Sequence, residues 1–113
     1  MCNYKTWYYK ENMGYIIECE QCKKLQVGFG NVLLNFSIEE FDKFRGHIEH
    51  AKNKNYPVIE AGIKHIFIPT FCAGCTVLLN TQELKDLHDM LEYADNEMKA
   101  QELMGLFYKE ESE

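Results

Sequence analysis

The 113-residue sequence has little arginine, little proline and no long apolar run. Arg45 is the only arginine, and because bidentate recognition of phosphate favours arginine, a nucleotide site is disfavoured. The formal net charge of −6 also argues against a protein that binds nucleic acid or an anionic membrane. No apolar run approaches the roughly 20 residues that span a bilayer, and the N-terminus has no apolar signal-peptide core. We therefore expect a cytoplasmic protein that acts on neither nucleic acid nor membrane.

The common catalytic and phosphate-binding motifs are also missing. The sequence contains no G-x-x-x-x-G-K-[ST], G-x-G-x-x-G, G-x-S-x-G or H-E-x-x-H. The segment Gly28–Asn31 holds two glycines, but it leads into a predicted strand and is interpreted as a hairpin turn. The sequence leaves open whether the protein is an enzyme, and it favours a non-catalytic role.

The residues that are present indicate one domain, residues 1–113, with a single packed core. Hydrophobic residues make up 46% of the chain and aromatic residues 13%, which argues against disorder. Short apolar segments such as Tyr15–Glu18 and Val32–Phe36 are separated by turn residues and predict strands. Ser37, with Glu40 three residues later, predicts a capped helix that ends near Asn53. We predict an α+β fold, in which a small antiparallel β-sheet carries two helices on one face.

The two halves of the chain share a pattern that suggests a duplicated β-β-α unit. The tetrapeptide VLLN occurs at 32–35 and again at 77–80. The predicted helix cap Ser37 follows the first copy, and the predicted cap Asn80 is the last residue of the second copy. The predicted halves are residues 15–53 and 58–108. The alternative is chance similarity, because a strand that leads into a capped amphipathic helix is common.

The last predicted helix, about residues 81–108, is long for so small a domain. It would measure on the order of 40 Å, whereas the domain should have a radius of gyration of about 13 Å. Either its C-terminal end protrudes, which would favour a homodimer or another protein partner, or the helix breaks near Gly105 and folds back.

Two C-x-x-C pairs are the strongest chemical signal in the sequence. Each pair lies in a predicted β-turn, and without an export signal a disulfide framework is disfavoured. Two pairs supply the four thiolates of a closed tetrahedral zinc site. The sequence therefore predicts one structural zinc ion, bound by Cys19, Cys22, Cys72 and Cys75.

Other interpretations of the cysteines stay open. Cys2 or His65 could replace one zinc ligand in a mixed site. The thiols could instead be inert, because a buried cysteine behaves as a small hydrophobe. A thiol-redox enzyme would require an exposed thiol of low pKa, for which the Lys23-Lys24 pair beside Cys22 is the only support.

The histidines carry a weaker signal. His47 and His50 stand three residues apart on the first predicted helix and are expected to face solvent. His88 flanks the apolar seam of the last helix, so we expect it to border the core. None of them has an identifiable partner that would complete a catalytic site.

Four features of the sequence occur together: the Met1-Cys2 start, the Cys19-x-x-Cys22 pair, the stretch Gln26–Asn31 and the helix that Ser37 begins. With these features the chain resembles an uncharacterised family of short bacterial proteins. The resemblance covers nearly the whole chain and is most specific over residues 19–44. It implies no catalytic residue, because the family has no assigned function. We expect a non-catalytic binding or scaffold domain, with structural zinc as its proposed cofactor.

Overall fold

The computed structural model describes residues 3–54 and 62–111, with the side chains of the last helix described as far as Gly105. The α+β prediction is confirmed. The elements, in chain order, are β1 (Tyr4–Lys10), β2 (Gly14–Cys19), β3 (Leu25–Phe29), β4 (Val32–Phe36), α1 (Ile38–Lys52), β5 (Ile66–Pro69), β6 (Thr76–Leu79) and α2 (Thr81–Glu111).

The first four strands form an antiparallel meander in the order β1-β2-β3-β4. Leu25 at the start of β3 pairs with Glu18 on one side and with Phe36 on the other. The end of β2, the start of β3 and the end of β4 therefore lie together at one end of the strands. We call it the Cys19 end, after the last residue of β2.

Both helices pack on one face of this sheet and bury an apolar core between them. On each strand the side chains that face this core lie two residues apart, because residues at that spacing share a face of the sheet. Full burial of each large apolar side chain contributes roughly 1.5–3 kcal/mol. The large buried side chains of these elements are Ile16, Leu25, Val27, Phe36, Phe41, Phe44, Ile48, Leu87, Met90 and Leu91.

The strands β5 and β6 form a separate two-stranded sheet rather than joining the meander. One face of this hairpin is buried in the common core through Ile66, Ile68, Val77 and Leu79. Phe71, at the hairpin tip, packs edge-on against Phe36, with 6.0 Å between the ring centroids and 86° between the planes. This contact places the tip of the β5–β6 hairpin at the Cys19 end.

The two predicted halves have matching helix starts. Ser37 and Glu40 form a reciprocal capping box at α1. Asn80 and Glu83 form the same pair of bonds at α2, at 2.9 and 2.8 Å. Each half thus ends in a hairpin followed by a capped helix, although the hairpins lie in different sheets. The duplication itself stays a prediction.

Helix α2 is a single element of 31 residues, on the order of 46 Å long. It continues through Gly105, because one glycine costs a helix only about 1 kcal/mol. The radius of gyration is 16.0 Å and the longest dimension is 58 Å, against about 13 Å expected for the radius of a compact domain of this size. Leu103 and Met104 near its end are exposed, so the helix protrudes. Within the described residues, no helix combines the length and apolar character needed to span a bilayer.

Candidate functional site

The first C-x-x-C pair forms a tight turn between β2 and β3. Cys22 donates its backbone N–H to Cys19 Sγ at 3.4 Å. Lys23 donates its N–H to the Cys19 carbonyl at 2.8 Å, and Cys19 donates its own to the Lys24 carbonyl at 2.9 Å. Cys19 is only 3% exposed, whereas Cys22 is exposed. The turn therefore holds one sulfur at the edge of the core and the other at the surface.

Lys23 adopts a left-handed backbone conformation, with φ of 62°. This conformation costs most residues roughly 1–2 kcal/mol, and glycine adopts it freely. Zinc knuckles often have glycine after the second cysteine, where this chain has lysine. The glycine-like conformation of Lys23 shows that the turn forms without glycine, so lysine at this position does not argue against a metal knuckle.

The second C-x-x-C pair occupies the tip of the β5–β6 hairpin. Cys75 donates its N–H to the Cys72 carbonyl at 3.1 Å, and Gly74 between them has φ of 82°, as a type II turn requires. Thr70 Oγ1 accepts the Cys72 N–H at 3.2 Å and lies 2.7 Å from the Cys75 carbonyl oxygen. Both cysteines are exposed, and hydrogen bonds within the tip hold the backbone of this turn.

The two turns share the Cys19 end, but their sulfurs do not converge. Among residues 3–54 and 62–105, no three cysteine sulfurs lie within 4.8 Å of one another. His65, the predicted substitute ligand, stands before β5, one strand length away from Cys72 and Cys75. Cys2, the other substitute, lies outside the described residues. Neither pair begins a helix, because the first leads into β3 and the second into β6.

A different cluster of metal-binding side chains lies between the two helices. Glu49 on α1 and His88 and Glu92 on α2 each offer a ligand atom, and these three atoms lie within 4.8 Å of one another. His88 and Glu92 are four residues apart and share a helix face, while the packing of α1 against α2 supplies Glu49. The His88 side chain is 15% exposed, Glu92 is half-buried and Glu49 is exposed.

Two cations and a further acid border this cluster. Arg45 Nη1 donates to Glu92 Oε1 at 3.0 Å. Lys52 Nζ lies 3.3 Å from His88 Nδ1, and Asp89 Oδ1 lies 3.5 Å from the same nitrogen. The groove between the helices is therefore an electrostatic network in which three carboxylates surround one imidazole.

A family model described as a family of unknown function, DUF6686, matches residues 1–109. The chain belongs to this family. The match confirms the resemblance to an uncharacterised family, and it spans both C-x-x-C turns and the Glu49–His88–Glu92 cluster. No curated protein and no solved structure matches the chain. Site assignment in this DUF6686 member therefore depends on its own geometry.

Sequence reasoning missed the Glu49–His88–Glu92 cluster in this DUF6686 chain. It paired His47 with His50 along one helix, and both are exposed, as predicted. It also placed His88 beside the core, which is correct, because the side chain is half-buried. The available signal was the four-residue spacing of His88 and Glu92. Glu49 could not be added without knowing how the two helices pack.

Arg45 anchors a second ionic group next to this cluster. Its Nε lies 3.6 Å from the buried carboxylate of Asp95, and Lys99 Nζ lies 2.8 Å from the same oxygen. Burial lowers the pKa of Arg45, but the hydrogen bond to Glu92 and the charges of Asp95, Glu92 and Asp42 outweigh it and leave that pKa raised. The hydrogen bond with Asp95, and then its charge, raise the pKa of Lys99. These cations neutralise a buried acid, which is a structural role.

Proposed function

We propose that this chain is a non-catalytic binding or scaffold domain in which Cys19, Cys22, Cys72 and Cys75 share one structural zinc ion. The observation that supports it most is the packing of Phe71 against Phe36. Phe36 pairs with Leu25, which pairs with Glu18 beside Cys19. The two C-x-x-C turns, far apart in sequence, therefore lie at one end of the fold.

The geometry of the first turn suits a metal ligand. The N–H of Cys22 points to Cys19 Sγ at 3.4 Å, so the turn holds this sulfur in a fixed orientation. The thiolate is the form that binds metal. Four protein thiolates would close the zinc tetrahedron and leave no position for a reacting water, so the ion would stabilise the fold rather than catalyse.

Zinc binding requires the second turn to move toward the first, because the sulfurs do not converge. We expect the two cysteines of the tip to do so while Phe71 keeps its contact with Phe36. Both cysteines are exposed, and the hydrogen bonds of Thr70 are local to the tip. Structural zinc supplies a binding free energy on the order of 10 kcal/mol, which exceeds the cost of shifting an exposed hairpin tip.

The test is the metal content of protein purified without an affinity tag or chelator. We expect about one zinc per chain by elemental mass spectrometry, and a lower midpoint of thermal unfolding after chelation. Cys72→Ser and Cys75→Ser are the informative variants, because both side chains are exposed and their loss leaves the core intact. Ala73→Ser, between them on the same exposed tip, is the matched control and should keep its zinc.

Three results would contradict the four-cysteine site. The first is wild-type protein that contains no zinc and gains no stability from added zinc. The second is full zinc content in the Cys72→Ser and Cys75→Ser variants, which would move the remaining ligands elsewhere. The third is equal zinc loss in Ala73→Ser. Cobalt substitution adds a direct readout, because absorption from thiolate coordination should fall in both serine variants and not in the control.

A second candidate function is self-association through the end of α2. It is favoured by Leu103 and Met104, which are 61% and 56% exposed on a helix that extends beyond the core. A helix without tertiary contacts is marginal in water, and a second copy would bury these side chains. This function is compatible with a zinc site, because it uses a different surface.

A further inference from the structure

We propose that Glu49, His88 and Glu92 form a divalent-cation site, independent of the cysteine turns, in the groove between α1 and α2. Ligand atoms from the three side chains lie within 4.8 Å of one another, so small side-chain rotations would bring them close enough for bonds of about 2.0–2.2 Å to one ion. Two helices supply the ligands, so the site depends on the tertiary fold and not on one flexible loop.

The ligand set selects the class of ion. One imidazole and two carboxylates suit Mn²⁺, Zn²⁺ or Fe²⁺, whereas thiolates select softer ions. The cysteine turns and this cluster therefore prefer different metal ions. Mn²⁺ should bind to the cluster and not to the cysteine thiolates, so it discriminates between the two sites.

The surrounding residues hold the ligands in place. Arg45 orients the carboxylate of Glu92 through a 3.0 Å hydrogen bond. Because His88 is half-buried between the helices, it loses little further freedom on binding an ion.

Lys52 is one of the two cations beside this cluster, and it lies next to His88. Its Nζ lies 3.3 Å from His88 Nδ1, and the side chain is exposed, so it can withdraw into solvent on its flexible stem. A bound metal ion would replace that ammonium group. Removal of the competing charge should therefore tighten metal binding, which is a gain of affinity that damage to the fold cannot produce.

The experiment is titration of the full chain with MnCl₂, with free Mn²⁺ measured by electron paramagnetic resonance. We expect one bound ion per chain in the wild type and at least about tenfold weaker binding in Glu49→Gln and His88→Gln. Lys52→Met should bind several-fold more tightly. Glu39→Gln and His50→Gln are matched controls, since both are exposed on α1 and outside the cluster, and both should bind like the wild type.

Absence of Mn²⁺ binding at millimolar concentration would overturn the proposal. So would equal affinities in Glu49→Gln and the controls, or weaker binding in Lys52→Met. Glu49 is exposed, so Glu49→Gln remains decisive even if His88→Gln fails to fold. Binding of Mn²⁺ that survives in Cys72→Ser with Cys75→Ser would support this site whatever the outcome for the cysteines, and loss of it there would overturn its independence.

Discussion

Arg45 of α1 donates a 3.0 Å hydrogen bond to Glu92 of α2, and this contact helps to set how the two helices align. The same guanidinium lies 3.6 Å from Asp95, the only buried charged side chain among residues 3–54 and 62–105. A buried carboxylate without a cation is strongly disfavoured. The alignment that pairs Arg45 with Asp95 also brings Glu49 to His88.

Replacement of Arg45 should therefore destabilise the fold. Arg45→Met keeps the aliphatic stem but removes the hydrogen bond to Glu92 and one cation near Asp95, while Lys99 stays. We expect a loss of about 2 kcal/mol in the free energy of unfolding, measured by urea denaturation. Asp42→Asn is the control, because Asp42 is an exposed partner at 3.8 Å, and it should change stability by less than about 0.5 kcal/mol. Equal effects of the two substitutions would contradict this account.

The capping box of α1 should make stability depend on pH. The hydrogen bond from the Ser37 backbone lowers the pKa of Glu40 below its ordinary value of 4.5. A lowered pKa in the folded state means that the contribution is fully present above about pH 4.5 and is lost as the pH falls through the folded pKa. In unfolding titrations from about pH 6 to about pH 3, the stability advantage of wild type over Glu40→Gln should shrink.

The matched control for this titration is Glu39→Gln, since Glu39 is the neighbouring acid in the first turn and takes no part in the capping box. Its stability difference from wild type should vary less with pH than that of Glu40→Gln. An advantage over Glu40→Gln that stays constant down to pH 3 would mean that the Glu40 carboxylate does not hold the cap.

Two glycines in the sheet should differ in their tolerance of a side chain. A Cβ on Gly14 would lie 2.2 Å from the Gly28 carbonyl oxygen, whereas a Cβ on Gly28 would meet the Tyr15 ring at 2.6 Å. The first obstacle is backbone and the second is a ring that can rotate away. We expect Gly14→Ala to cost about 3 kcal/mol and Gly28→Ala about 1 kcal/mol.

A glycine in α1 provides a control, because its replacement should raise the free energy of unfolding rather than lower it. A Cβ on Gly46 would meet nothing within 4 Å, so Gly46→Ala should stabilise the helix by roughly 0.5–1 kcal/mol. Tyr15→Ala should also reduce the cost of Gly28→Ala in a double-mutant cycle. Equal costs for Gly14→Ala and Gly28→Ala in denaturant unfolding would contradict the register described for β2 and β3.

Local sequence patterns predicted most of the fold, but they did not predict the Glu49–His88–Glu92 cluster. Ser37 with Glu40, and Asn80 with Glu83, are spaced so that each helix start is visible in the sequence, and the apolar periods identify the buried faces. The pairing of β5 with β6 follows from the predicted β-β-α unit, but their separation from the meander was not visible, because strand alternation does not say which hairpins join one sheet. Likewise Glu49 meets His88 only through helix packing, which sets contacts between residues far apart in the sequence.

The protruding end of α2 leads to the last prediction. Leu103 and Met104 are exposed, and burial between two copies would contribute roughly 1.5–3 kcal/mol for each of these side chains. We expect a homodimer by light scattering during size-exclusion chromatography, and a monomer for Leu103→Glu combined with Met104→Glu. Ala100→Glu, exposed on the same helix, should stay dimeric. Monomeric wild-type protein at about 100 µM would exclude an association tighter than the micromolar range.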